Sequence, residues 1–456
     1  MFELIKIFLL YLNILNFLFC FPSGIINLPF KKRNTDLSKF SPENIIYKGL
    51  QYNTIITDIR IGTKPQIIPM IIDLYHYDFF ISGETDNDNN KNTILFNQSN
   101  SITFTNFGKF GDFGGRGFTI GYKSSDFYYL NDNEEKKYNI SFILALDPDD
   151  GISGMIGLKL SVEEDKEILE YNFIKQLKKV NAINDYYFTI KYINYTDGNL
   201  IIGDLPENYD ESFKNIEYKE TYVINPNSPS SWNIQFDSIY TKFKNNDEIT
   251  DLGNANAYFR IELGITIGNE EYRKELLNNF MYEEINKGNC MEKFVSYYYI
   301  YYCNSTVDFS KMKNLYFYNK ELNYSFEFTY KDLFFYNELD DKYYFLIEFE
   351  KNTGRNRWLI GEFFFKKYQL IFNQEKKKIG IYTGRKLIND SEEDIKMSWL
   401  DKNKWYLLLM IFLIILLIAL AILIYYIIKN KPRRKIKANE LADEDYDYTI
   451  NNDKIS

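Results

Sequence analysis

The sequence predicts a mainly β body made of two related lobes, followed by a single membrane-crossing helix. Three observations carry that expectation. Aromatic residues are 18% of the 456-residue chain, with 40 Tyr and 38 Phe, and these side chains favour pleated, half-buried surfaces. Across roughly 41–388, short apolar runs alternate with turn residues, the pattern of a strand-rich domain. Near the C-terminus, 406–428 carries no charge and is long enough to cross a bilayer as a helix.

Taken in order, the chain opens with an apolar run at 7–21 after Lys6, broken by Pro22-Ser23-Gly24. That is the layout of a cleaved secretory signal over 1–22, with Cys20 leaving with it. Residues 23–47 are expected to form a linker or short pro-like segment. Within it, Lys31-Lys32-Arg33 reads as a solvated charge run or as a mark for pro-segment removal. Strands are expected at 52–61, 66–72, 186–193, 199–202, 314–318, 343–349 and 368–372, and helices at 166–180 and 270–285, where apolar residues recur at helical spacing. The lobes are placed at 48–215 and 216–388, with a stalk at 389–405. Trp405, Tyr425 and Tyr426 sit near the ends of the apolar span, and Lys429, Lys431, Arg433, Arg434, Lys435 and Lys437 follow it. This basic excess places the tail, 429–456, in the cytoplasm and the body on the outer or lumenal side of the plasma membrane or an endomembrane. The tail turns acidic at Glu440, Asp443, Glu444, Asp445 and Asp447; it reads as a solvated tail, or as a lipid- and adaptor-binding one whose partner the sequence does not name.

Several function classes are excluded. A net charge of −9 provides no basic field for nucleic acid. His76 is the only histidine and there are three cysteines, so no multi-histidine or four-cysteine metal site exists, and no cofactor is implied. In an oxidising compartment Cys290 and Cys303 are expected to pair, a catalytic thiol being the alternative. Six glycosylation sequons begin at Asn97, Asn139, Asn194, Asn304, Asn323 and Asn389, all before the span.

The body contains an internal echo. Met70-Ile71-Ile72-Asp73 is followed later by Gly154-Met155-Ile156-Gly157-Leu158; in the second half Tyr258-Phe259-Arg260-Ile261-Glu262-Leu263-Gly264 is followed by Trp358-Leu359-Ile360-Gly361. A strand ending in a carboxylate and then a short apolar-Gly strand thus occur once per half. With Gly62-Thr63-Lys64-Pro65-Gln66, Asn199-Leu200-Ile201-Ile202-Gly203, Trp232-Asn233-Ile234-Gln235-Phe236 and Lys378-Ile379-Gly380-Ile381-Tyr382 in the same order, nearly the whole body resembles the pepsin-like aspartic peptidase family. The resemblance implies a bilobal acid-protease fold, a C-lobe disulfide at Cys290 and Cys303, and a catalytic pair at Asp73 and Glu262.

In that family each lobe carries its carboxylate on an Asp-Thr-Gly-Ser/Thr loop. Here the loops read Asp73-Leu74-Tyr75-His76 and Glu262-Leu263-Gly264-Ile265, so only Asp73 and Gly264 match. The longer Glu262 side chain displaces a carboxylate by roughly 1 Å, a misplacement that can cost about 10²-fold in rate. Tyr75 is expected to wedge between the loops, and Phe110 (or Phe107) stands where the flap tyrosine would be. The leading expectation is a membrane-anchored, catalytically inactive member whose interlobe cleft binds a peptide or protein. The alternatives are an acid endopeptidase using the Asp73/Glu262 pair, with His76 beside it, and a surface adhesion or coat glycoprotein.

Overall fold

The computed structural model describes residues 24–383 except 34–49, 51–52, 85–92, 111–120, 131–135, 147–151, 161–169, 225–230, 244–248, 339 and 352–356. The expected signal, stalk, membrane span and tail, and the sequon at Asn389, therefore lie outside the described residues. Among the described residues no helix is long and apolar enough to cross a membrane.

Alternation builds the strands. In Ile55–Ile61 the side chains of Ile55, Thr57, Ile59 and Ile61 turn inward, and in Gln66–Asp73 those of Ile68, Met70 and Ile72 do. The described strands form two sheets, one of 13 strands and one of 11. The first holds the strands from Ile26 to Tyr222 together with the two last ones, Ile371–Asn373 and Lys378–Tyr382; the second lies wholly between Asn233 and Ile360. The sheets thus do not divide at 215/216. Tyr218–Tyr222 and the closing strands return to the first sheet through Tyr218–Tyr222 on Lys378–Tyr382 and Ile371–Asn373 on Tyr187–Tyr192.

The echo in sequence is an echo in topology. In the first sheet Gln66–Asp73 runs parallel to Gly154–Gly157, with Asp73 beside Gly157; the chain then returns as Phe79–Ser82, antiparallel to the same short strand. In the second sheet Ile249–Phe259 runs parallel to Arg357–Ile360, and the chain returns as Thr266–Asn269, antiparallel to it at Ile267 and Leu359. Each half therefore holds its carboxylate loop at the bend between two strands that flank one apolar-Gly strand.

Two expectations change. Residues 23–47 are not merely a linker: Ile26–Lys32 is a strand paired with both Asp197–Ile202 and Ile55–Ile61. Ile26, Leu28 and Phe30 are buried by it, and Lys32 donates to the buried Glu362 at 2.8 Å. The basic run is thus partly built into the fold. The 368–372 stretch begins with a chain turn, and Glu362–Lys367 is a short helix whose Phe363, Phe364 and Phe365 are all buried. The helix expected at 270–285 is present as Glu270–Phe280 and Tyr282–Asn286, and that at 166–180 as Phe173–Lys179 in its described part.

The core joins the halves. Trp232 is fully buried against Phe188 and Phe372, and its Nε1 donates to the Leu158 carbonyl at 2.7 Å. Burying such a ring removes about 150–250 Å² from water, on the order of 5 kcal/mol. Cys290 and Cys303 face each other across an antiparallel pair and form a disulfide, so neither is a free thiol. Closing so short a loop contributes about 3 kcal/mol.

Candidate active site

Asp73 ends its strand and is 5% exposed. Its Oδ1 accepts from the backbone N–H groups of Tyr75 and His76, each at 2.6 Å, and lies 3.1 Å from His76 Nδ1. An imidazole that donates in this contact carries its proton on Nδ1. The loop is anchored at its base: Leu158 N–H donates to the Asp73 carbonyl at 2.7 Å, and Lys159 N–H to the His76 carbonyl at 2.9 Å. Leu74, in place of a hydroxyl residue, is buried at 1% exposure. Tyr75 meets a group of each half. Its ring is 46% exposed, stands edge-on to His76, and is covered by the Arg260 guanidinium at 4.0 Å.

Glu262 lies just beyond Ile249–Phe259. Its Oε1 accepts from Arg260 Nε, and no hydrogen-bond donor among the described residues reaches its sealed Oε2. Burial pushes the Glu262 carboxyl up to about 7, the negative charge of Asp73 adds to the rise, and Arg260 opposes it. Asp73 therefore acts electrostatically on Glu262, as the two-loop arrangement requires.

The lock between the halves comes from residues the loop comparison misses. Asn53 donates its N–H to the Glu262 carbonyl at 2.9 Å and its Nδ2 to the Ile261 carbonyl at 2.8 Å. The same Nδ2 lies 3.3 Å from the Tyr192 hydroxyl, which in turn donates to Glu362 Oε1 at 3.3 Å. Glu362 N–H closes the circuit on the Leu263 carbonyl at 2.7 Å. Gly264 is required by close approach: a Cβ there would lie 2.0 Å from the Leu50 carbonyl oxygen.

Beside the loops is a cavity of about 570 Å³, lined by Leu74, Tyr75, Lys159, Ser231, Asn256, Tyr258, Phe259, Arg260, Arg357 and Leu359. Both halves contribute to it. The family model for eukaryotic aspartyl protease matches residues 54–383, well over half of the chain and including both carboxylate loops. The chain belongs to the eukaryotic aspartyl protease family. No curated protein matches it.

Within this aspartyl protease domain, chemistry is possible only if the two carboxylates serve a common water, one ionised and one protonated. The second condition is approached, because Glu262 is held up near neutrality while Asp73 keeps its acceptor role. Each carboxylate has an oxygen committed to a donor of its own half: Asp73 Oδ1 to three nitrogens of its loop, Glu262 Oε1 to Arg260.

Other expected positions are also located. Phe110 ends Thr105–Phe110, at the border of the undescribed 111–120, and Phe107 is 61% exposed. Asn139, Asn194, Asn304 and Asn323 are exposed and Asn97 is partly so. Among the described residues no group of three or more potential ligands forms a metal site. Arg260 was legible in principle from its place two residues before Glu262, across a turn that Leu263 N–H closes on the Arg260 carbonyl at 3.1 Å. Asn53 and Glu362 carry no such local signal.

Proposed function

We propose that this chain is a membrane-anchored aspartyl protease family member that binds peptide or protein in its cleft without cleaving it. The observation that carries the reading is the separate commitment of the two carboxylates, Asp73 to its own loop and Glu262 to Arg260. Peptide binding needs main-chain groups and pockets, not a paired acid and base. The anchor rests on the uncharged 406–428 and the basic residues after it, and the lumenal or extracellular body on the N-terminal apolar run, the sequons and the Cys290–Cys303 disulfide. The decisive experiment incubates the purified chain with a mixed peptide library between pH 3 and 7. No cleavage is expected; cleavage blocked by a statine-type inhibitor overturns the reading.

One observation favours a second reading, an acid endopeptidase using the Asp73/Glu262 pair. Glu262 is raised to about 7 by burial and by Asp73, the division of proton affinity that a carboxylate pair needs. Under that reading Asp73→Asn and Glu262→Gln each abolish hydrolysis. Hydrolysis unchanged in both variants removes the pair as its source.

A further inference from the structure

One face of the second sheet carries an exposed aromatic row. Cys290–Val295 pairs with Tyr298–Asn304, which pairs with Lys342–Phe345, which pairs with the edge strand Phe334–Asn337. The registers place Met291 opposite Tyr302, Tyr302 opposite Tyr344, and Tyr344 opposite Phe335. Directly opposite residues point to the same face of a sheet. Their neighbours Cys290, Cys303, Phe345 and Phe334 point the other way and are buried. The row therefore lies on the outer face: Met291 is 50% exposed, Phe335 is 43% exposed, and Tyr302 and Tyr344 are half-buried between them. At a strand spacing of about 4.8 Å the row is roughly 14 Å long. Apolar surface that runs out to an edge strand is a liability unless something covers it.

The next rung on the same face is polar. Asn304, Lys342 and Asn337 are in register with one another, each two residues along from a member of the row. Lys342 Nζ lies 4.8 Å from the centre of the Tyr302 ring and 3.6 Å from Asp340 Oδ2. Asp340 also accepts from the Tyr344 hydroxyl and from Asn337 Nδ2, each at 2.6 Å. A carboxylate has acceptor sites for further donors. Rings and a thioether thus stand beside a fixed cation and a fixed acceptor. That pairing suits a sugar, whose C–H faces pack on rings while its hydroxyls bond to charged groups. A protein partner is a poor fit, because a stable interface takes roughly 20–30 residues a side. The sugar has a point of attachment. Asn304 opens the sequon Asn304-Ser305-Thr306, is exposed, and stands about 7 Å along the strand from Tyr302. Asn194 also follows a tyrosine by two positions, but that residue, Tyr192, is buried and offers no face.

We propose that Asn304 carries an N-linked oligosaccharide that folds back over Met291, Tyr302, Tyr344 and Phe335, with Lys342 and Asp340 holding its hydroxyls. This rests on the lumenal or extracellular placement of the body proposed above and is independent of what the cleft binds. In the transfer, Asn304 Nδ2 bonds to the anomeric carbon of a diphosphate-linked oligosaccharide. The anomeric carbon–oxygen bond breaks, and the diphosphate leaves with the amide proton. The test uses the full chain, made in a eukaryotic secretory host and kept in detergent. Peptide mass spectrometry reads the occupancy of each sequon, and thermal melts read the contact. Asn304 is expected to be occupied. Asn304→Gln should lower the melting temperature by about 2 °C or more, and Asn323→Gln by less than half as much. In a Tyr302→Leu chain Asn304→Gln should cause no further loss, whereas in a Tyr302→Phe chain it should cause the full one. Phe335→Ala, at the half-exposed end of the row, should halve the shift and replaces Tyr302→Leu should that chain fail to fold.

The outcomes separate the sugar from the placement it rests on. An unmodified Asn304 beside other modified sequons overturns the inference and leaves the placement standing. A chain with no sequon modified overturns both. A modified Asn304 whose loss shifts the melt equally with and without the Tyr302 and Phe335 rings has a sugar that points into solvent, and the contact is overturned. A dimer of the glycosylated chain that Phe335→Ala breaks makes the row a protein interface and removes the sugar as its cover.

Discussion

The two carboxylate loops occupy equivalent bends in their sheets, yet they satisfy their charges in opposite ways. Asp73 is surrounded by donors of its own loop, two of them backbone N–H groups that the bend supplies at no side-chain cost. Glu262 has one side-chain donor, Arg260, a lesser contact from its own backbone N–H, and one sealed oxygen without a donor among the described residues. The difference teaches that duplicated topology fixes where a charge sits and leaves its solvation to the side chains around it. One loop is a stable capped turn; the other holds a carboxyl that burial works against.

The sharpest break in the comparison is steric. The third loop positions are Tyr75 and Gly264, and they are not interchangeable. Tyr75 is half exposed, whereas a Cβ at Gly264 meets the Leu50 carbonyl oxygen at 2.0 Å. Backbone cannot move aside as a flexible side chain can. Gly264→Ala is expected to cost about 3 kcal/mol, at the upper end of overpacking, and Tyr75→Ala about 1 kcal/mol or less. Urea unfolding of the two variants measures both; similar losses would mean that the loops are sterically equivalent after all.

Next in size is a difference of sign. An ordinary Glu carboxyl at 4.5 raised to about 7 in the fold means that the folded state resists ionisation there. Its contribution to stability is full below about 4.5 and is lost as pH rises through about 7, a shift equivalent to up to about 3 kcal/mol. Glu262→Gln cannot ionise, so it should be about 2 kcal/mol more stable than the parent at pH 8 and close to it at pH 4.5. Asp73→Asn exchanges charge-assisted for neutral hydrogen bonds and should be about 1–2 kcal/mol less stable at pH 8. Thermal melts at the two pH values report both signs. A Glu262→Gln variant that is less stable at pH 8 would show that the Arg260 contact outweighs burial.

How much of this was readable in the sequence follows from the range of the interactions. Local alternation identified Ile55–Ile61 and Gln66–Asp73, and the repeated carboxylate and apolar-Gly strands identified the duplicated topology. The strand Ile26–Lys32 was obscured because Pro29 and the basic run weaken a strand signal, although Ile26, Leu28 and Phe30 alternate within it. Within the site, Asp73, Glu262 and Gly264 came from local motif positions. The positions of Asn53 and Glu362 depend on partners far along the chain, Ile261 for Asn53 and Lys32 for Glu362, which no window of sequence contains. The surroundings of Tyr75 are long-range too: its ring is half exposed and is covered by Arg260 from the other half.

That long-range lock gives a third prediction, because it is reciprocal. Asn53, from the first half, holds the Glu262 loop; Trp232, from the second, holds the Leu158 carbonyl beside the Asp73 loop. Asn53→Ala leaves the Ile261 carbonyl without its side-chain donor and is expected to cost about 1–2 kcal/mol. Trp232→Phe removes the indole N–H while keeping an aromatic ring, and is expected to cost a similar amount plus the lost packing. Combined in one chain, they should add within about 0.5 kcal/mol if the two locks act independently. A larger coupling, measured by denaturant titration of both singles and the double, would mean that the locks act as one.

The smallest expected effect belongs to the residue that stands out most in the composition. His76 is the only histidine in the chain, and its Nδ1 lies 3.1 Å from Asp73 Oδ1. That oxygen already accepts two shorter backbone hydrogen bonds, from Tyr75 and from His76 itself, and neither needs an imidazole. His76→Ala keeps both, so the loss should be no more than about 1 kcal/mol. It should also leave the melt profile of Glu262 between pH 4.5 and 8 unchanged, since burial, Asp73 and Arg260 set that profile and the imidazole does not. A loss above about 2 kcal/mol would instead make the ring, and not the turn, the source of Asp73's stability, and the contrast between a self-capped loop and a dependent one would fail.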